Sequence, residues 1–164
     1  MDLKLAVREP EEDQELAPRG KRRPRIAFNA WAINVLVIED DPADASIVLD
    51  VLRRHPNVAS ANAFQEPDTA LFHLATGRYR PDLILLDILM PKVNGFKFLE
   101  ALESIPLVRD TPVVMLTTSR YMRDVEQARS SPACGYIVKP DSYSELKTRL
   151  DGAVKQAISG KWSF

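Results

Sequence analysis

From residue 33 onward, apolar residues occur in short continuous runs that are separated by longer amphipathic stretches. Continuous apolar runs, as opposed to alternating ones, are typical of parallel strands that are buried on both faces. Four runs have this character, and a weaker fifth run lies between the first two. The strands predicted from them are Ile33–Ile38, Val58–Phe64, Leu83–Leu86, Val113–Leu116 and Tyr136–Val138.

The intervening stretches carry apolar residues at helical spacing. Pro42 suits the first position of a helix, with Asp41 as its cap, and the last helix is predicted to begin near Asp141 or Ser142. The buried face of the first helix is predicted to be Ile47, Val48, Val51 and Leu52. The apolar residues that mark the other four helices are, in chain order, Leu71, Leu74 and Ala75; Phe98, Leu99 and Leu102; Met122 and Val125, for a weaker helix; and Tyr143, Leu146, Leu150 and Val154.

Repeated alternation of strand and helix predicts an α/β fold. Right-handed crossovers then give a doubly wound parallel sheet with helices on both faces. We assign residues 32–164 to this single domain. Residues 1–31 are rich in charge and poor in large apolar side chains, which predicts a mostly disordered N-terminal extension.

Composition excludes several classes of protein. The 164 residues contain 22 basic and 23 acidic side chains, a formal charge of −1, so no overall field attracts nucleic acid or anionic lipid. One cysteine, Cys134, and two histidines, His55 and His73, are too few for an internal disulfide or a structural zinc site. No run approaches the roughly 20 apolar residues of a membrane span. We therefore expect a cytoplasmic protein that binds neither membrane nor DNA directly.

Reactive side chains follow the predicted strands. Glu39-Asp40-Asp41 comes after the first strand, Asp87 after the third, Thr117-Thr118 after the fourth and Lys139-Pro140 after the fifth. Any one of these residues is explained by a strand ending at the surface. Because the carboxyl ends of parallel strands meet at one edge, however, the whole set predicts a functional site there.

Carboxylates that crowd together repel one another unless protons or a metal neutralise them, and hard oxygen ligands suit Mg²⁺. A carboxylate beside Mg²⁺ and a lysine can attack phosphorus and form an aspartyl phosphate. The chain has no P-loop, glycine-rich nucleotide motif or HExxH motif. The phosphoryl group is therefore expected to come from another donor.

Five motifs in order resemble the receiver domain of two-component response regulators, the CheY-like family. The likeness extends from about Ile33 to Ile158 and implies a flavodoxin-like sheet in the order 2-1-3-4-5, with phosphotransfer from a histidine kinase to one aspartate. The motifs are Val35–Pro42, Pro81–Pro91, Asn94-Gly95, Pro112–Thr118 and Gly135–Pro140.

The resemblance implies that Asp87 is the phosphoacceptor. It makes Glu39 and Asp40 the acidic pair that binds Mg²⁺, together with Asp87 itself and the backbone carbonyl of Leu89. Glu39 stands where the family more commonly has an aspartate. Its side chain is longer, so its contact with the metal could be direct or through a bridging water.

The resemblance also implies a phosphoryl-binding and switching set. Thr117 would bind the phosphoryl group, Lys139 would pair with its charge, and Tyr136 would be the aromatic residue that moves inward when Thr117 shifts. The family further implies a cis peptide bond before Pro140.

Few residues follow the last predicted helix, so we expect a stand-alone receiver that is not an enzyme beyond its own phosphotransfer and dephosphorylation. Its expected donor is a sensor histidine kinase, with bacteriophytochrome-type kinases favoured by a likeness to small single-domain regulators, or a histidine phosphotransfer protein. An expected output is a homodimer through the fourth helix, fifth strand and fifth helix.

Two alternatives remain open from the sequence. A Mg²⁺-dependent phosphohydrolase of the haloacid dehalogenase type also forms an aspartyl phosphate, but it needs an acid two residues after the nucleophile, where this chain has Leu89. A pseudo-receiver would bind partners without phosphorylation, although the full motif set argues against it.

Overall fold

The computed structural model describes residues 31–164. The predicted disordered extension over residues 1–31 lies, apart from the exposed Trp31, outside these described residues. Strands and helices alternate strictly, as the hydrophobic pattern predicts. The elements are β1 Ile33–Ile38, α1 Pro42–Arg53, β2 Val58–Phe64, α2 Pro67–Ala75, β3 Leu83–Leu86, α3 Gly95–Glu103, β4 Val113–Thr117, α4 Met122–Arg129, β5 Gly135–Val138 and α5 Tyr143–Ser159.

The five strands form one parallel sheet in the order β2-β1-β3-β4-β5. The predicted fold class is therefore confirmed: a doubly wound, flavodoxin-like α/β fold. β3 lies at the centre, and all four of its residues are buried. β5 forms one edge of the sheet, and only the first of its four residues is fully buried.

Each face of the sheet is covered by its own hydrophobic layer. Successive side chains of a strand point to opposite faces, so Leu36 and Ile38 join one layer while Val35 and Val37 join the other. Helices α2, α3 and α4 contribute to the first layer, and α1 and α5 pack on the second. Helices on both faces leave the carboxyl ends of the strands as the open edge.

The helices occur where the spacing predicts them, but not every predicted apolar position is buried. Ile47, Met122 and Tyr143 are about half exposed or more, at 48%, 66% and 47%, and Ala75 is also exposed. Ile47 lies beside the buried stripe of α1 and outside it, whereas Met122 and Tyr143 are the first residues of their helices, where the chain is still at the surface.

Three smaller observations complete the comparison with the sequence. Cys134 is a free cysteine and is half-buried. Asp41 caps α1 as predicted, because its carboxylate accepts hydrogen bonds from the backbone N–H groups of Ala43 and Asp44 at 2.8 and 3.0 Å. Within residues 31–164, no helix has both the length and the hydrophobicity needed to span a bilayer.

Candidate functional site

Three carboxylates meet at the carboxyl ends of β1 and β3. These strands are neighbours, with Ile38 in register with Leu86, and the backbone N–H of Asp87 donates to the carbonyl of Ile38 at 3.0 Å. The pairing brings Asp87 beside Glu39 and Asp40, and one oxygen of each lies within 4.8 Å of the others. Glu39 and Asp87 are buried, and Asp40 is half-buried. Register in the sheet thus assembles the predicted acidic set.

The loop after β3 fixes the Asp87 side chain. Its Oδ1 accepts a hydrogen bond from the backbone N–H of Leu89 at 3.1 Å. The chain then returns into α3, where Asn94 is the cap and the N–H of Gly95 donates to the carbonyl of Ile88 at 3.0 Å. A Cβ at Gly95 would lie 2.3 Å from the Asp87 carbonyl oxygen, so only glycine allows this close approach.

Lys139 reaches the same site from the end of β5. Its Nζ donates to the carboxylates of Glu39, Asp44 and Asp87, at 2.8 Å to Asp44 Oδ2 and 3.4 Å to Asp87 Oδ2. The backbone N–H of Lys139 donates to the carbonyl of Thr117 at 2.8 Å, which anchors the residue on β4.

The peptide bond before Pro140 is trans, because the described residues contain no cis peptide bond. The expectation of a cis bond is therefore wrong. The long, flexible side chain of Lys139 reaches the carboxylates from a trans backbone.

Burial sets the electrostatics of the site. Desolvation raises the pKa of Glu39 to about 7, although the hydrogen bond from Lys139 opposes this shift. Burial also acts to lower the pKa of Lys139, but hydrogen bonds to Asp44 and Glu39 outweigh it and raise that pKa above its usual range. The lysine stays an ammonium, whereas Glu39 gains or loses a proton near neutral pH.

The predicted switch residues, Thr117 and Tyr136, are both hydrogen-bonded to Ser119. Thr117 is fully buried, and its Oγ1 accepts a hydrogen bond from the backbone N–H of Ser119 at 3.2 Å. The hydroxyl of Tyr136 donates to the carbonyl of Ser119 at 3.0 Å. In this structure both hydroxyls therefore meet at the loop between β4 and α4.

Two further groups were missed by sequence reasoning. Asp44, in the first turn of α1, binds Lys139. The one sequence feature that could have pointed to it is its position, three residues after the cap Asp41. Ser119 Oγ donates to the buried carboxylate of Asp124, which links the loop to the first turn of α4. No sequence signal distinguished Asp124 from an ordinary acid at the start of a helix.

The donor set fits a divalent cation. Three carboxylates supply hard oxygen ligands of the kind that Mg²⁺ prefers, and two of them are buried. Buried carboxylates at this spacing repel one another, and a bound cation would relieve that repulsion. The site can therefore hold a metal beside a carboxylate and an ammonium.

Comparisons with known proteins agree with this geometry. A family model described as "Response regulator receiver domain" matches residues 35–151. The "Probable methanogenesis regulatory protein FilR2" of Methanothrix harundinacea is 31% identical over 121 residues, which cover 71% of this chain and 78% of that protein. The phosphate regulon regulator PhoB of Escherichia coli is 32% identical over 128 residues, 76% of this chain but 53% of PhoB. The chain spans about half or less of several other curated relatives it matches.

Solved structures show the same fold. The phosphorylated cyanobacterial phytochrome response regulator RcpA superposes with a TM-score of 0.70 at 26% identity, covering 79% of this chain and 96% of RcpA. The Mn²⁺-bound form of the response regulator Rcp1 gives a TM-score of 0.62 at 28% identity, covering 73% and 90% of the two chains. From the match to the family model, the fold and these relatives, the chain belongs to the response regulator receiver domain family of two-component signalling proteins.

Proposed function

We propose that this chain is a response regulator that accepts a phosphoryl group on Asp87 in a Mg²⁺-dependent reaction and signals through a change in its binding surface. One observation carries the proposal: sheet register places Asp87 beside Glu39 and Asp40, and the ammonium of Lys139 lies 3.4 Å from its Oδ2. This arrangement combines a nucleophile, a cation site and a fixed positive charge.

In the proposed reaction, a carboxylate oxygen of Asp87 attacks the phosphorus of a phosphohistidine. The new O–P bond forms as the P–N bond breaks, and the departing imidazole nitrogen keeps the electron pair or takes a proton from solvent. Mg²⁺ held by Glu39, Asp40, Asp87 and the Leu89 carbonyl would neutralise charge on the phosphoryl oxygens. Lys139 adds a second positive charge, and burial of Asp87 limits the approach of water.

The proposed switch uses Thr117 and Tyr136. A phosphoryl group adds roughly 1.5 to 2 negative charges and three acceptor oxygens. The Thr117 hydroxyl would exchange the N–H of Ser119 for a phosphoryl oxygen, and the loop that the Tyr136 hydroxyl also binds would move with it. Phosphorylation would in this way alter the surface around α4 and β5.

The alternative of a haloacid dehalogenase-type phosphohydrolase has little support. It requires an acid two residues after the nucleophile, and the residue there is Leu89, which cannot donate or accept a proton. A pseudo-receiver is likewise disfavoured, because the acidic residues and Lys139 come together.

Chemical phosphorylation tests the proposal. The full-length chain incubated with Mg²⁺ and acetyl phosphate should gain one phosphoryl group by intact-mass spectrometry, and hydroxylamine should remove it. Asp87→Asn should abolish the adduct, whereas Asp68→Asn on the exposed start of α2 should not. An adduct of undiminished yield in Asp87→Asn contradicts the assignment, and so does an equal yield in excess EDTA.

We propose a sensor histidine kinase, of the phytochrome type, as the donor, with a histidine phosphotransfer protein as the alternative. The support is the similarity to RcpA, which is described as a phytochrome response regulator. The proposed output is a homodimer through α4, β5 and α5, where Tyr121 and Met122 are 63% and 66% exposed. Sedimentation velocity on the phosphorylated samples above should show a dimer; a monomer at every concentration would exclude this output.

A further inference from the structure

The ammonium of Lys139 is shared among three carboxylates, and one of them lies outside the acidic cluster. Nζ donates to Glu39, to Asp44 at 2.8 Å and to Asp87 at 3.4 Å. An ammonium has three N–H donors, so these contacts use its full capacity. The distance to Asp44 is the shorter of the two, which shows that Asp44 holds the lysine more closely than Asp87 does.

Helix α1 fixes the position of Asp44. The residue lies in the first turn, and its backbone N–H donates to the capping carboxylate of Asp41 at 3.0 Å. Its side chain is 40% exposed, whereas those of Glu39 and Asp87 are 2% and 6% exposed. The cluster of candidate metal ligands does not include Asp44. Asp44 is therefore placed to pair with the lysine at the rim of the site.

The lysine and a divalent cation would share two of the same carboxylates. Both are positive, and Glu39 and Asp87 are partners of the ammonium as well as candidate ligands of the metal. A cation on those carboxylates repels the ammonium and weakens their attraction for it, whereas Asp44 lies outside the candidate ligand set and remains available to the lysine. A phosphoryl group on Asp87 would draw the ammonium the other way.

We propose that Asp44 is a positioning residue that holds the ammonium of Lys139 toward the rim of the site. In this role it favours binding of the divalent cation, and it slows phosphorylation of Asp87 by withholding the lysine from the phosphoryl group. The inference rests on the proposed function of Asp87. It adds that Asp44 competes with Asp87 for the ammonium of Lys139.

The test is to measure metal affinity and phosphorylation rate in the same variant. In Asp44→Asn the freed ammonium falls back on Glu39 and Asp87, so the Kd for Mg²⁺ by isothermal titration calorimetry should rise about two- to fivefold, the size of a partly exposed ion pair. At saturating Mg²⁺, adduct formation with acetyl phosphate should become about two- to fivefold faster. Damage to the fold would instead weaken both properties.

Three control variants isolate the role of Asp44. Asp44→Glu keeps the charge and should restore both values toward the wild type. Asp50→Asn removes a carboxylate on the same helix that pairs with Arg54, and it should change neither value. In a Lys139→Gln background, Asp44→Asn should no longer alter Mg²⁺ affinity, because the proposed effect passes through the lysine.

Several results would overturn the inference. These are an unchanged Kd in Asp44→Asn, an equal change in Asp50→Asn, a slower phosphorylation rate, or an effect on the Kd that persists without Lys139. Absence of an adduct in the wild type would contradict the proposed function of Asp87, while the calorimetric comparison would still decide whether Asp44 positions the lysine for metal binding.

Discussion

Glu39 is a buried acid whose charge opposes folding when no metal is bound. Its pKa is raised from 4.5 to about 7, chiefly by desolvation, so the folded state binds this proton more tightly than the unfolded state does. The free energy of unfolding of the metal-free protein should therefore fall, through this group, as pH rises from about 4.5 to about 7.

Urea denaturation in EDTA at several pH values between 5 and 8 measures this effect. Glu39→Gln should flatten the decline, because a glutamine side chain does not titrate. Lys139 still has Asp44 and Asp87 as partners in this variant. Asp41 and Asp151 have lowered pKa values, so their contributions to stability are lost only at more acidic pH. An equally steep decline in Glu39→Gln would show that another group is responsible.

Position 95, beside the acidic site, has no room for a side chain. A Cβ there would lie 2.3 Å from the Asp87 carbonyl oxygen and 2.8 Å from the Ile88 Cα, and both are backbone atoms that cannot rotate away. Gly95→Ala should therefore reduce the free energy of unfolding by about 1–3 kcal/mol, measured by urea denaturation.

Gly152 provides the matched control for Gly95. It lies within α5, and a Cβ there meets no atom within 4 Å. Gly152→Ala should raise stability by about 0.5–1 kcal/mol, the difference between glycine and alanine inside a helix. A Gly95→Ala protein as stable as the wild type would mean that the loop after β3 can move away from α3.

At the scale of elements, the start of α1 links helix stability to the site. Asp41 caps the helix through the N–H groups of Ala43 and Asp44, so loss of the cap loosens the turn that carries Asp44. Asp41→Ala should lower the Tm by a few degrees, measured by circular dichroism. Asp41→Asn, which can still accept both hydrogen bonds, should stay close to the wild type, and an equal loss in both variants would point to charge as the cause.

The elements were predictable where burial leaves a clear pattern. β3 has the predicted bounds because it is buried on both faces, which requires the continuous run Leu83–Leu86. β4 extends one residue beyond its prediction, to Thr117, because a polar residue that is fully buried breaks the apolar run without ending the strand.

At the scale of the whole molecule, the sequence predicted which strand ends meet but not how their side chains pair. Topology alone brings Asp87 to Glu39 and Asp40, since β1 and β3 are adjacent. The pairing of Lys139 with Asp44 joins residues 95 positions apart on different elements, and no local spacing encodes it.

The sheet differs in stiffness between its centre and its edge. β3 is followed directly by Asp87, has a paired strand on each side, and is buried along its whole length, so a new charge there is not readily relieved by displacement of the strand. β5 is paired on one side only, is largely half-buried, carries Tyr136 and is followed directly by Lys139. Compliance is therefore greater along that border than at the centre, and a disturbance at the rigid middle of the protein should emerge as motion at its periphery.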